Sequence, residues 1–146
     1  MERSELLELW SDMWKEGNWV PSWPDSLAGL SIEEATWIPV PNATCIWQEV
    51  VHVTFWRSVT LNQLAGLPQP SSEEVEKLEF AMPEEVSSES WATAVSELQR
   101  THDAIAAAIQ DDTKDMARIP YHLIHDAYHL GRITHLRSMQ GTKPKF

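Results

Sequence analysis

The chain has 146 residues, of which 42% are hydrophobic and 23% charged, and its net charge is −11. This length predicts a single domain with one core over residues 1–146, and the acidic balance argues against a nucleic-acid partner because it repels phosphate backbones. The single cysteine, Cys45, excludes an intramolecular disulfide and a multi-thiolate metal site, so any metal must be held by nitrogen and oxygen.

The N-terminal stretch, residues 1–16, is charged throughout and has no apolar run before a cleavage site. The longest apolar stretch, residues 104–109, is too short to cross a bilayer. We therefore expect a cytoplasmic protein that does not bind a membrane.

The first predicted helix covers residues 2–16, where apolar residues recur at spacings of three and four. A segment rich in turn-forming residues follows, and it contains Trp19, Trp23 and Trp37. We expect some of these tryptophans to line a pocket mouth or a dimer face. Ser31 and the glutamate three residues later form a capping box, which predicts one short helix in the segment.

Asn42 is the expected cap of the second long helix, roughly residues 43–65, and Gly66 is its stop. The acidic, proline-bearing stretch "LPQPSSEEVEKLEFAMPEEVSSES" predicts a surface crossover that has room for a helical turn. A third long helix is predicted over about residues 89–110.

Pro120 at a first helical position and Gly141 beyond the end bracket the fourth long helix. Four helices and no convincing strand predict an all-α fold, a four-helix bundle with one longer crossover connection.

Four of the six histidines lie in the last helix, within "HLIHDAYHLGRITHLR", residues 122–137. At about 100° per residue, His125 and His129 are ~40° apart and one turn apart, with His122 on the same side and His135 on another face. An i, i+4 histidine pair is what one metal ion needs from a single helix.

A third ligand must come from a neighbouring helix, where the candidates are His52 and His102. His52 lies among apolar residues, and burying its imidazole unpaired would cost on the order of 1–3 kcal/mol, so it is either a satisfied core group or a ligand. His102, between Arg100 and Asp103, is expected at the surface.

Two further side chains are candidates for catalysis. Glu49 precedes His52 by one turn, so it is a general acid or base, a carboxylate partner of a ligand histidine, or a solvated residue. Tyr128 either points into the cleft or packs with its hydroxyl in water. A di-iron site is not expected, because the last helix has no Glu-x-x-His.

The chain resembles the DinB/YfiT-like superfamily of small metal-binding four-helix bundles. The matching segments are "SIEEATWIPVPNATCIWQEVVHVTFW", with His52 in the ligand position, and "HDAYHLGRITHLR", with His125 and His129. The resemblance covers nearly the whole chain in the order of its elements. It implies one divalent metal ion, zinc or nickel, held by these three histidines.

The resemblance also implies a function. Relatives include thiol S-transferases and an isomerase that uses a low-molecular-weight thiol, and family members are often dimers, so a homodimer is compatible with the apolar helix faces. Our first hypothesis is a metal-dependent S-transferase that activates such a thiol for attack on a small-molecule substrate. The alternatives are a metal-dependent hydrolase of a small substrate and a non-catalytic metal-binding stress-response protein.

Arg132 stands where many relatives have glutamine, about one turn after His129. It either binds the anionic part of a thiol co-substrate or only complements the helix dipole. His122 is assigned to the rim of the co-substrate pocket.

Overall fold

The structure, a computed structural model, describes residues 1–142 and 144, and in this part of the chain all regular secondary structure is α-helical. The seven helices are α1 (Arg3–Lys15), α2 (Trp23–Leu27), α3 (Ile32–Thr36), α4 (Ile46–Leu64), α5 (Ser72–Leu78), α6 (Ser88–Gln110) and α7 (Ile119–Met139). The four long helices form the bundle: α4 and α1 each pack against both α6 and α7. The predicted all-α bundle is confirmed. In the described residues no helix is long and apolar enough to cross a membrane.

The predicted start of the second long helix is wrong. Asn42 has a φ of 65°, so it lies in a turn, and helix α4 begins at Ile46 with Cys45 as its N-cap. Asparagine tolerates this left-handed conformation better than most residues, which suits it to a turn as well as to a cap. The Gln48 side chain accepts a hydrogen bond from the Cys45 backbone N–H at 3.1 Å and completes the actual cap.

The short helix α3 begins as the sequence predicts. Ser31 Oγ accepts from the Glu34 backbone N–H at 3.1 Å, and the Glu34 carboxylate accepts from the Ser31 N–H at 2.9 Å. The crossover between α4 and α6 contains α5, which has no buried residue. Its end returns to α4, where Phe80 O accepts from Gln48 Nε2 at 3.4 Å.

His102 is buried, so its predicted surface position is wrong. Its ring stacks on that of Trp10, with 4.9 Å between centroids and 13° between planes. The charged neighbours Arg100 and Asp103 misled the prediction, because the helical phase of α6 places His102 inward with Leu98 and Ile105. Burial lowers the pKa of His102 to about 4, and the imidazole is therefore neutral at pH 7.

A buried ion pair joins the two helices that carry most of the histidines. Arg57 of α4 donates to the Asp126 carboxylate of α7, and neither side chain is exposed. Arg57 also donates to Leu98 O at 3.1 Å, and its guanidinium lies 4.9 Å from the centre of the Trp10 ring. Trp23 Nε1 donates to Asp126 at 2.9 Å, and this tryptophan is fully buried in the core. The cluster therefore connects α1, α2, α4, α6 and α7.

We predict that Asp126→Ala lowers the free energy of unfolding by about 3–5 kcal/mol, because it leaves the buried guanidinium of Arg57 without a counter-charge. The matched control is Glu97→Ala, which removes a carboxylate from an exposed pair with Arg100 and should cost about 1 kcal/mol or less. Equilibrium urea denaturation measures both. A loss in Asp126→Ala no larger than in Glu97→Ala would contradict the central role of the pair.

Candidate metal centre

The structure brings His52 from the middle of α4 together with His125 and His129 from α7. Each imidazole offers one nitrogen, and the three nitrogens lie within 4.8 Å of one another. The Nε2 atoms of His125 and His129 are 3.1 Å apart. His125 and His129 are one helical turn apart, so the geometry of α7 alone brings these two rings together. The packing of α4 against α7 adds the ring of His52.

This spacing fits a metal ion. Two nitrogen ligands held about 2.0–2.1 Å from a tetrahedral ion lie about 3.3 Å apart. The 3.1 Å between His125 and His129 is close to that value, so these two rings already stand at a ligand separation. The three side chains supply nitrogen only, a donor set that suits zinc and nickel better than magnesium or calcium.

The electrostatics favour the ligand form of the imidazoles. Burial, followed by charge repulsion from His129 and His125, lowers the pKa of His52 to about 4. Burial lowers the pKa of His125 to about 4 in the same way, again with His129 as the next cause. Both rings are therefore neutral at pH 7, which is the state that binds a metal ion.

Glu49 lies behind His129. Its carboxylate accepts from His129 Nδ1 through one oxygen, and through the other from Arg132 Nε at 3.0 Å and from the Thr44 hydroxyl. Burial by itself raises the pKa of Glu49, but the hydrogen bonds from His129, Thr44 and Arg132 outweigh burial and lower it. The ionised carboxylate holds the proton of His129 on Nδ1, which turns the Nε2 lone pair toward the other two rings.

Arg132 and Tyr128 border the same site. Arg132 donates to the Tyr128 hydroxyl at 3.2 Å and to the Thr44 hydroxyl at 2.7 Å, besides its bond to Glu49. Its side chain is 40% exposed. Tyr128 is 59% exposed, and its ring meets that of His129 edge-on at 5.0 Å between centroids. Both side chains line a cavity of about 310 Å³ above the three histidines.

The other histidines lie apart from this cluster. His122 is buried, and its Nε2 is 2.8 Å from the Thr60 hydroxyl, with which it shares a hydrogen bond. Burial lowers the pKa of His122 to about 4. The cavity above the three histidines is called the metal cavity below, and His122 lines an open groove next to it. His102 stacks on Trp10, and His135 is exposed.

Sequence reasoning missed the residues that the crossover brings to the site. Phe80 stacks on His52 with 4.3 Å between ring centroids and 15° between planes. Glu79 Oε2 lies 3.4 Å from His52 Nδ1 and accepts from Trp56 Nε1 at 3.2 Å. Nothing in the pattern of this segment marks the two residues, apart from an aromatic residue that ends an acidic, exposed stretch. Thr44 was missed because it belongs to the turn that the sequence assigned to α4.

Comparison with known proteins gives one match. Residues 22–138 match the sequence model of the DinB superfamily. The matched range includes His52, His125 and His129 as well as Glu49. No curated protein and no solved structure shows significant similarity to the chain.

We predict that His52→Ala, His125→Ala and His129→Ala each reduce bound zinc or nickel to less than about half an equivalent after dialysis, because two remaining imidazoles hold the ion weakly. His135→Ala is the matched control, since this exposed histidine of the same helix should leave metal content unchanged. Elemental analysis of protein purified without a histidine tag gives the stoichiometry. Full retention of metal in His52→Ala would contradict the hypothesis that α4 supplies a ligand.

Proposed function

The chain belongs to the DinB superfamily, and on that premise we propose that it is a divalent-metal-dependent enzyme that transfers a low-molecular-weight thiol to a small electrophilic substrate. His52, His125 and His129 hold the ion in this proposal, with zinc or nickel as the expected metal. Thiol transfer is favoured over hydrolysis because the Glu49 carboxylate is buried and accepts hydrogen bonds from His129, Arg132 and Thr44. We place the activity in the cytoplasm, where thiols are kept reduced.

The donor set supports activation of a thiol. A divalent ion held by three neutral imidazoles keeps its double charge and lowers the pKa of a thiol bound to it. The protein positions the ligands: Glu49 orients His129, and Phe80 packs its ring on His52. The cavity of about 310 Å³ above the rings is of a size for small molecules.

Hydrolysis is less well supported by the same residues. Hydrolysis by a metal-bound hydroxide would use a general acid or base beside the ion, and Glu49 is the candidate for that role. Its lowered pKa and its hydrogen bonds from His129, Thr44 and Arg132 make it a poor base. A thiol, with an ordinary pKa of about 8.5, is far more acidic than water and needs no carboxylate to lose its proton at a metal ion.

Arg132 and Tyr128 are proposed to bind the co-substrate. A guanidinium has five N–H donors, and Arg132 uses three of them on Glu49, Tyr128 and Thr44. Two donors are left for a carboxylate of the thiol. The Tyr128 hydroxyl accepts from Arg132 and so keeps its own hydrogen free to donate to a bound ligand. His122 lines the neighbouring groove.

We predict that zinc- or nickel-loaded protein accelerates transfer of cysteine or glutathione to monochlorobimane, and that chelation abolishes the acceleration. The parallel assay uses 4-nitrophenyl acetate without thiol, and there the loaded protein should not exceed the chelated protein. Metal-dependent ester hydrolysis without thiol transfer would favour the hydrolase instead. Absence of both activities in metal-loaded protein across several thiols and electrophiles would favour a non-catalytic metal-binding protein.

We predict that Arg132→Met raises the KM for the anionic thiol 3-mercaptopropionate about tenfold, because it removes a charge-assisted hydrogen bond. The KM for the neutral 3-mercapto-1-propanol should not change. Arg132→Met should also keep its metal, since Glu49 retains its bonds from His129 and Thr44. Arg100→Met, at an exposed arginine of α6, is the control. Equal effects on the two thiols, or no effect on either, would restrict Arg132 to a structural role.

A further inference from the structure

A second cavity adjoins the metal cavity. It is an open groove of about 610 Å³ between α4 and the first half of α7. His125 and Tyr128 line both cavities, so the groove leads directly to the histidine cluster. Its size falls in the range of about 300–1,000 Å³ that ligand sites occupy.

The wall of the groove on α7 is apolar and exposed. Tyr121 is 71%, Ile124 70% and Tyr128 59% exposed. Their spacings of three and four residues place them on one stripe of the helix. Trp56 forms the opposite wall on α4, and the polar atom of its ring is already used in a hydrogen bond to Glu79. A contiguous stripe of large exposed apolar side chains beside a cavity is typical of a binding surface.

The far end of the groove carries a positive charge. Arg118 lines it there, and its side chain is exposed and forms no hydrogen bond or ion pair with the residues that the structure describes. The other polar pair in the groove, Thr60 and His122, shares one hydrogen bond between the Thr60 hydroxyl and His122 Nε2. Arg118 lies seven residues before His125, a distance of about 10 Å along the helix axis. In a chain of net charge −11, an unpaired arginine at this position attracts an anionic group locally.

We propose that the groove binds an elongated ligand with an aromatic or apolar body and an anionic group at one end. The body lies between Trp56 and the stripe of Tyr121, Ile124 and Tyr128, and the anionic group contacts Arg118. The opposite end of the ligand reaches the metal cavity beside His125. That this ligand is the electrophilic substrate rests on the proposed function, whereas binding in the groove does not.

Two fluorescent probes of the same shape test the proposal. 8-Anilinonaphthalene-1-sulfonate carries an anionic group, and N-phenyl-1-naphthylamine is its neutral counterpart. Arg118→Met should weaken binding of the sulfonate about tenfold and leave binding of the neutral probe unchanged. Ile124→Ser should weaken binding of both probes about fivefold, because it removes apolar contact area. Fluorescence titration of the whole chain measures each dissociation constant.

Matched controls use exposed residues outside the groove. Arg100→Met and Ile38→Ser make the same substitutions at an exposed arginine and an exposed isoleucine, and neither should change binding of either probe. Unchanged sulfonate binding in Arg118→Met, equal loss of both probes in that variant, or equal losses in the controls would overturn the proposal. So would a wild-type dimer that excludes both probes and dissociates in Ile124→Ser, measured by sedimentation velocity, since the stripe would then be a dimer interface.

The same titrations separate this proposal from the proposed function. Each variant is titrated both metal-loaded and chelated, and its metal content is measured independently. Probe binding that depends on Arg118 in a protein unable to retain metal supports the groove and counts against the metal-dependent enzyme. Full metal retention without Arg118-dependent probe binding counts against the groove alone.

Discussion

The ion pair between Arg57 and Asp126 constrains how α4 can lie against α7. Taking two charges out of water costs several kcal/mol per ion unless each finds good partners, so the surrounding structure must supply them. The backbone of α6, the indole N–H of Trp23 and the face of the Trp10 ring supply most of these partners, whereas Arg57 Nε and Asp126 Oδ1 have none among the described residues. Because Arg57 follows His52 by five residues and Asp126 follows His125 directly, the register that satisfies the pair also sets the histidines opposite one another.

A second polar cluster holds the same two helices together, with the roles reversed. There the carboxylate belongs to α4, as Glu49, and the donors His129 and Arg132 belong to α7. The two clusters give the interface one acidic side chain from each helix, and both side chains are buried. Two such contacts along one interface resist sliding and rotation of the helices, and this keeps the ligand nitrogens at a fixed separation. Rigid placement of this kind is what a metal site needs from its surroundings.

The candidate metal site thus combines the negative charge of Glu49 with three imidazole rings. Glu49 supplies the anion, but it lies behind His129 and not among the three nitrogens. Burial keeps the pKa of both His52 and His125 near 4, so protons do not compete with a metal ion for these two rings at neutral pH. The neighbouring groove has a wall of exposed aromatic and aliphatic side chains on α7 and carries Arg118 at its far end. The two cavities differ in chemistry, as two substrates of different character would require.

The sequence by itself determined the helical bundle and the convergence of His125 with His129, because both follow from the period of a single helix. It could limit the candidates for the third ligand only to the histidines of other helices. It also misplaced His102, whose neighbours in sequence are charged although its face of α6 is buried. Tertiary structure alone decided that Glu49 is tied to α7, since that contact joins residues 80 positions apart. It alone brought Phe80 onto His52, because the crossover has no periodic pattern that fixes where its end packs. Periodicity is a property of short segments, whereas the partner of a buried charge or ring is set by how whole helices pack.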